Sequence, residues 1–164
     1  MVREISAGGV VIRKGKGGYR MAAIELPLAP TGTARSTQRV GHAPKRVIAL
    51  PKGLVDPGEP PLETALREVR EETGITAVPI TKLADIKYVY VRSWGDGERV
   101  FKIVSFYLLR YHSGRINDIA PEMRIEVQRA FWTPLPEAPA LLSYKGERGI
   151  ARLALEYFKS HPDT

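Results

Sequence analysis

Residues 5–12 (ISAGGVVI) form a nearly unbroken apolar, β-branched run with two glycines, which predicts a strand. Residues 19–28 (YRMAAIELPL) predict a second, and Gly15-Lys16-Gly17-Gly18 supplies the turn between them. The pattern then lapses. Residues 27–45 hold Pro, Gly, Thr, Ser and basic residues without periodicity, and predict a long basic loop of a kind that in compact domains is usually functional or disordered. Residues 46–50 (RVIAL) predict a short strand, and residues 51–59 (PKGLVDPGE) a punctuated loop. Leu62, Ala65, Leu66 and Val69 then follow the i, i+3, i+4, i+7 spacing of a helix with one buried face, over residues 62–73. Pro60 and Pro61 suit its entrance, where missing N–H donors do no harm, and Gly74 suits a left-handed exit.

Downstream, residues 78–92 contain a strand whose end, residues 86–91 (IKYVYV), alternates aliphatic with aromatic or basic positions. An Asp-Gly signal in residues 93–98 (SWGDGE) predicts a hairpin loop, with residues 100–111 as the partner strand. Residues 112–121 read as a loop, and residues 124–133 carry a further strand ending in Phe131-Trp132. Residues 135–142 and 145–161 read as helices, the second with an apolar stripe of Ile150, Leu153, Ala154, Phe158 and, less well placed, Leu155. There is no internal repeat. This order predicts one α/β (α+β) domain over residues 1–164, a mixed sheet covered by helices on both faces.

Composition narrows the chemistry. The chain has 164 residues and no cysteine, which removes disulfides, thiolate catalysis and Cys-type zinc sites and agrees with a cytoplasmic setting. His42, His112 and His161 lie too far apart for a ligand motif. No apolar stretch predicts a membrane span, and the first residues carry no signal-peptide pattern. The net charge is +7, and from residue 13 to 52 the bases Arg13, Lys14, Lys16, Arg20, Arg35, Arg39, Lys45, Arg46 and Lys52 face Glu25 alone. Such a field attracts a polyanion: a nucleotide, a nucleic acid or an anionic surface.

Against this basic background, one helix is acidic. At about 100° per residue, Glu68, Glu71 and Glu72 share one sector beside the apolar stripe, Glu72 nearest its edge. Like charges so spaced repel by ~0.2–0.5 kcal/mol per exposed pair, so folding alone gives no reason to crowd them. A hard divalent cation such as Mg²⁺, which prefers oxygen ligands and keeps waters and phosphates in its shell, does. Arg67 could pair with Glu71, one turn on, or with Glu59, pinning the preceding loop to the helix.

The whole segment runs Gly53, five residues, Glu59, seven residues, Arg67-Glu68-Val69, one residue, Glu71-Glu72, one residue, Gly74-Ile75. It resembles the Nudix box, G-x5-E-x7-R-E-U-x-E-E-x-G-U with U aliphatic, at every defining position. The resemblance implies an α/β/α sandwich and hydrolysis of a nucleoside diphosphate linked to another moiety, with Mg²⁺ or Mn²⁺. It implies Glu71 and Glu72 as the main metal ligands, Glu68 as a further ligand or the base acting on water, the Gly53 carbonyl as an assistant, and Glu59, Arg67 and Gly74 as structural box residues. Glu126, six residues before Trp132, resembles an extra acid that relatives place outside the box as ligand or base, with Glu122 and Asp118 as competitors.

Substrate choice is set elsewhere. Pro51-Lys52-Gly53 resembles the opening found in diadenosine and diphosphoinositol polyphosphate hydrolases, with Lys52 a candidate phosphate contact. Alternation puts Tyr88, Tyr90 and Arg92 on one face of the hairpin strand, near Lys87, Arg99 and Lys102, where tyrosines could stack on a base and basic side chains hold phosphate. Ser143-Tyr144-Lys145 resembles a segment that closes over nucleotide in some relatives. The expected substrate is a dinucleoside polyphosphate such as diadenosine tetraphosphate. The alternatives are an oxidised nucleoside triphosphate, a nucleotide sugar, the 5′ end of RNA, or a non-catalytic ligand-binding role. A homodimer through the tail helix or hairpin is also open.

Overall fold

The structure is a computed structural model that describes residues 2–27, 46–92 and 97–163. The predicted basic loop, apart from Pro27, and the hairpin tip at 93–96 lie outside them. In chain order the elements are β1 (Val2–Gly15), β2 (Gly18–Leu26), β3 (Val47–Ala49), β4 (Lys52–Leu54), α1 (Pro61–Thr73), β5 (Ile75–Val91), β6 (Arg99–Gly114), β7 (Arg129–Pro134), α2 (Ala138–Leu141) and α3 (Lys145–Ser160). Short 3₁₀ turns occupy Pro121–Met123 and Leu135–Glu137.

One mixed sheet holds the domain together. β1 runs parallel to β6 from Val2↔Val100 to Ile12↔Arg110, and β5 pairs antiparallel with β6. On its other edge β1 pairs first with β4, then with β2, while β2 also takes β3 and β7. Successive side chains go to opposite faces, so adjacent residues enter different cores. Val10 and Ile12 of β1, Met21 and Ala23 of β2, and Phe106 and Leu108 of β6 pack with Ile150, Ala151, Ala154 and Phe158 of α3. Val11, Ala22 and Leu109 pack with Val69 of α1 and with Ile75. Burial on both faces explains why residues 5–12 read as a continuous apolar run. Among the described residues no helix is long and apolar enough to cross a membrane.

Some boundaries depart from the sequence pattern. Within the predicted loop 51–59, residues 52–54 form β4, because β1 offers an open edge at Ser6–Gly8. The predicted strand over 124–133 begins only at Arg129. The N–H groups of Glu126 and Val127 both donate to Met123 O, which makes a turn instead. In α3 the stripe runs through Ala151, and Leu153 is exposed.

Candidate active site

The acidic helix is fixed at both ends. Pro60 in extended conformation and Pro61 open α1, and Gly74 closes it at φ +85° with its N–H on Arg70 O. The segment after β6 then folds over the C-terminus. Asn117 N–H donates to Thr73 O and Ala120 N–H to Glu71 O, taking up carbonyls that the helix leaves free. Asn117 has a left-handed φ of +77°, and its Oδ1 accepts Ala130 N–H at the start of β7.

Arg67 joins the box loop to the helix. Its Nε and Nη2 reach the two oxygens of Glu59, both at 2.9 Å, and Nη2 also donates to Leu54 O at 3.2 Å. Thr64 Oγ1 donates to Glu59 at 2.6 Å. Hydrogen bonds from Arg67 and then Thr64 hold the Glu59 carboxyl down at about 2, and Arg67 is correspondingly raised. The remaining amine, Nη1, lies 2.9 Å from Glu68 and a longer 3.3 Å from Glu71.

The carboxylate ridge is half sunk in the protein. Glu68 and Glu72 are only 6% and 5% exposed, whereas Glu71 is intermediate and Glu126 exposed. Burial is the main reason that Glu72 is raised to about 8, against the opposing Lys52 N–H that donates to its Oε1 at 2.8 Å; the charges of Glu68 and Glu126 add to the rise. Burial likewise raises Glu68, opposed by Arg67 and reinforced by Glu71 and Glu126. The loop that caps α1 therefore brings Glu126 within electrostatic reach of Glu68 and Glu72. It sits on a turn, not on the strand predicted over residues 124–133.

β4 divides the site. Gly53 faces α1, and any Cβ there would overlap the carboxyl of Glu68. Lys52 faces the other way, toward α3, where its Nζ donates to Glu147 Oε2 at 2.8 Å. Burial works to lower the Lys52 ammonium pKa, but the Glu147 carboxylate outweighs it and the group ends raised. Glu147 Oε1 accepts Leu50 N–H, also at 2.8 Å. Sequence reasoning passed over Glu147, although positions 147, 150, 151, 154 and 158 share the buried face of α3 and a carboxylate on such a stripe is a signal.

Beside this pair opens a cleft of about 590 Å³, lined by Lys52, Tyr88, Tyr90, Lys102, Tyr144 and Glu147 over a floor of Ile86, Val104 and Phe106. The strand register builds it: Glu4 of β1, Lys102 of β6 and Tyr88 of β5 are neighbours across three strands. Tyr90 Oη donates to Glu4 at 2.7 Å, and Lys102 Nζ lies 3.5 Å from the same carboxylate. Four of the five predicted substrate contacts thus share one cleft. The fifth, Arg92, is absent from its lining; its N–H donates to Glu98 O, closing the hairpin. Glu4 is a second residue that sequence reasoning missed, because only the parallel register brings it beside Lys102.

Among the described residues no three acidic, histidine or cysteine side chains converge tightly enough to hold a metal as they stand. Glu68 and Glu71 are turned to Arg67, and Glu72 to the Lys52 amide. The donor set nevertheless suits a hard divalent cation: it is all oxygen, and beyond burial the charges of Glu71 and Glu126 raise Glu68 while those of Glu68 and Glu126 raise Glu72.

A mixed sheet between two helical layers, with a carboxylate helix beside a tyrosine-lined cleft, defines an α/β/α sandwich. The NUDIX domain family matches residues 19–154, and the chain belongs to that family. A putative mutator protein MutT4 of Mycobacterium tuberculosis is 38% identical over 155 residues, 94% of this chain but 56% of its own length. The chain thus spans little more than half of that relative. An asymmetrical bis(5′-nucleosyl)-tetraphosphatase of Mus musculus is 35% identical over 118 residues, 68% of this chain and 72% of its own. An Ap4A hydrolase of C. elegans in a binary complex shares the fold, with a TM-score of 0.67 at 20% identity over 96% of this chain and 98% of that one.

Proposed function

We propose that this protein is a divalent-metal-dependent hydrolase of a nucleoside diphosphate linked to another moiety, with a dinucleoside polyphosphate such as diadenosine tetraphosphate as the favoured substrate. The observation that carries the reading is the sunken ridge of Glu68, Glu71 and Glu72 placed one short strand away from a tyrosine-lined cleft. Similarity to the asymmetrical tetraphosphatase supports the substrate.

Glu71 and Glu72 would hold Mg²⁺ or Mn²⁺, with Glu68, Glu126 and the Gly53 carbonyl as further oxygen donors. Once bound, such an ion shields phosphate charge and lowers the pKa of bound water. The protein's own work is orientation. Arg67, anchored by Glu59, keeps Glu68 and Glu71 on the same side of α1. Tyr88 and Tyr90 offer aromatic surface to a nucleobase, and Lys102 a positive charge near the polyphosphate. Glu68 or Glu126 would accept the proton as water attacks phosphorus; one anhydride P–O bond breaks, its bridging oxygen leaves with the electron pair as the terminal phosphate of one nucleotide, and the attacked phosphorus, now carrying the water oxygen, ends the other nucleotide.

The test is a panel of dinucleoside polyphosphates, nucleoside triphosphates, nucleotide sugars, inositol pyrophosphates and triphosphorylated RNA, incubated with protein and Mg²⁺ and resolved by product. Turnover of the dinucleoside polyphosphate is expected to exceed that of the others. It should fall on the order of a hundredfold or more in Glu71→Gln and Glu72→Gln with the fold intact. Full activity in both variants would remove the metal assignment. A 5′-triphosphorylated RNA as the best substrate would favour the reading suggested by 26% identity over 152 residues to an RNA pyrophosphohydrolase of Erythrobacter litoralis.

A further inference from the structure

The Glu147 carboxylate is 3% exposed and stands on the apolar face of α3. A buried ion pair is a poor stabilising device, because well-packed apolar side chains of the same volume usually serve folding equally well. Its geometry shows another use. Both oxygens are spent on β4 and its lead-in: Oε1 on Leu50 N–H and Oε2 on Lys52 Nζ, each at 2.8 Å. Pro51 O between them accepts Gly9 N–H from β1. On the far side of the same strand, Lys52 N–H donates to Glu72 Oε1, and Gly53 lies under the Glu68 carboxyl. β4 has only three residues, too few to fix its own position against α1. A carboxylate in α3 and glycines in β1 set it together.

We propose that Glu147 is a positioning residue that, by clamping Leu50 and Lys52, fixes the strand on which Glu72 and Glu68 rest, and so tunes the ridge for its cation. The proposal rests on the reading of Glu72 as a metal-holding residue. In this role Glu147 makes no contact with the metal-holding carboxylates themselves; its bonds go to Leu50 and Lys52. It acts through one side chain and one peptide unit, as outer-layer partners of metal ligands do.

The direct readout is Mn²⁺ affinity, taken from the electron paramagnetic resonance signal of free Mn²⁺ without substrate. The proteins are the wild type, Glu72→Gln, Glu147→Gln, Lys52→Met, and the charge-balanced pair Lys52→Met/Glu147→Gln. The balanced pair leaves net charge unchanged, so a loss there is not a change of field. Affinity about tenfold weaker is expected in Glu147→Gln and in the pair, with faster hydrogen exchange of the Lys52 amide. Lys52→Met, which leaves the Leu50 bond in place, should show a smaller loss of the same kind and decides the matter if Glu147→Gln does not fold. Wild-type Mn²⁺ affinity in every Glu147 and Lys52 variant, with weakened binding in Glu72→Gln, would overturn the proposal and leave the parent reading standing. Wild-type affinity in Glu72→Gln would overturn both.

Discussion

Gly53 and Glu68 are in contact across the gap between β4 and α1, so close that the carboxyl occupies the space a Gly53 side chain would need. The requirement is one of approach, not of backbone angle: Gly53 is not among the residues with positive φ. Gly53→Ala should therefore push β4 and α1 apart where the ridge is built. An ångström-scale displacement of reacting groups costs on the order of a hundredfold in rate, and a loss of that size in kcat/KM is expected with the fold retained. Steady-state kinetics beside a circular dichroism melt checks it. Wild-type kcat/KM would mean that the contact is slack.

The Glu59–Arg67 pair predicts a shape for the acid limb of stability. Glu59 is depressed from its ordinary 4.5 to about 2 in the folded protein, chiefly by hydrogen bonds from Arg67. A carboxyl with a lowered folded pKa favours folding fully above its unfolded value, and the benefit fades as pH drops toward the folded one. Melting temperatures measured from pH 6 down to about 2 should thus fall more steeply between pH 4.5 and 2 in the wild type than in Glu59→Gln. Arg67→Lys should lower the melting point at neutral pH as well, because an ammonium cannot reach Glu59 bidentately while serving Leu54 O, Glu68 and Glu71. Parallel acid limbs in the wild type and Glu59→Gln would show that the pair carries no linkage.

Local spacing exposed the helix and its ridge in the sequence, because residues three and four apart on a helix are neighbours whatever the rest of the chain does. Pro60, Pro61 and Gly74 marked both helix ends for the same reason. The cleft was legible in part: alternation placed Tyr88 and Tyr90 together. Their partner Glu4 comes from a parallel register 98 residues away from Lys102, to which no local signal points. β4 was hidden inside a Pro- and Gly-rich stretch, since a strand of three residues gets its identity from its neighbour. Glu126 falls outside the strand predicted over residues 124–133, because β7 starts only at Arg129. Ile125 is in fact 86% exposed, and the segment spends its hydrogen bonds on a turn over α1.

A cleft that holds the nucleoside predicts a split between binding and chemistry. Tyr88 lines it beside Lys102 and is 43% exposed, open to an incoming ring. Stacking of a base on an aromatic side chain is worth about 1–3 kcal/mol, so Tyr88→Ala should raise KM by about tenfold or more. The effect on kcat should be smaller, since Tyr88 lies on β5 and the ridge on α1. Tyr90→Phe should act differently: it keeps the ring and removes the hydrogen bond to Glu4. Its KM should change little unless Lys102, which shares that carboxylate, moves. An unchanged KM in Tyr88→Ala would place the nucleoside elsewhere.

Asn117 concentrates three tasks in one residue. Its N–H closes the end of α1 at Thr73, its Oδ1 receives the Ala130 amide of β7, and its own carbonyl accepts from Arg124 at 3.1 Å. It does so at φ +77°, the one non-glycine residue with positive φ among those described. Asn tolerates that region better than other side chains, and a β-carbon without a polar group there costs ~1–2 kcal/mol. Loss of a buried hydrogen bond adds about 0.5–1.5 kcal/mol. Asn117→Ala should therefore destabilise by about 2 kcal/mol in urea unfolding, whereas Asn117→Gly, which relieves the backbone but still lacks Oδ1, should lose about half of that. Both should also reduce turnover, because the turn that carries Glu126 hangs from Asn117 on one side and β7 on the other. If Asn117→Gly were as damaged as Asn117→Ala, the left-handed backbone would not be the costly element, and the hydrogen bond to Ala130 alone would account for the residue.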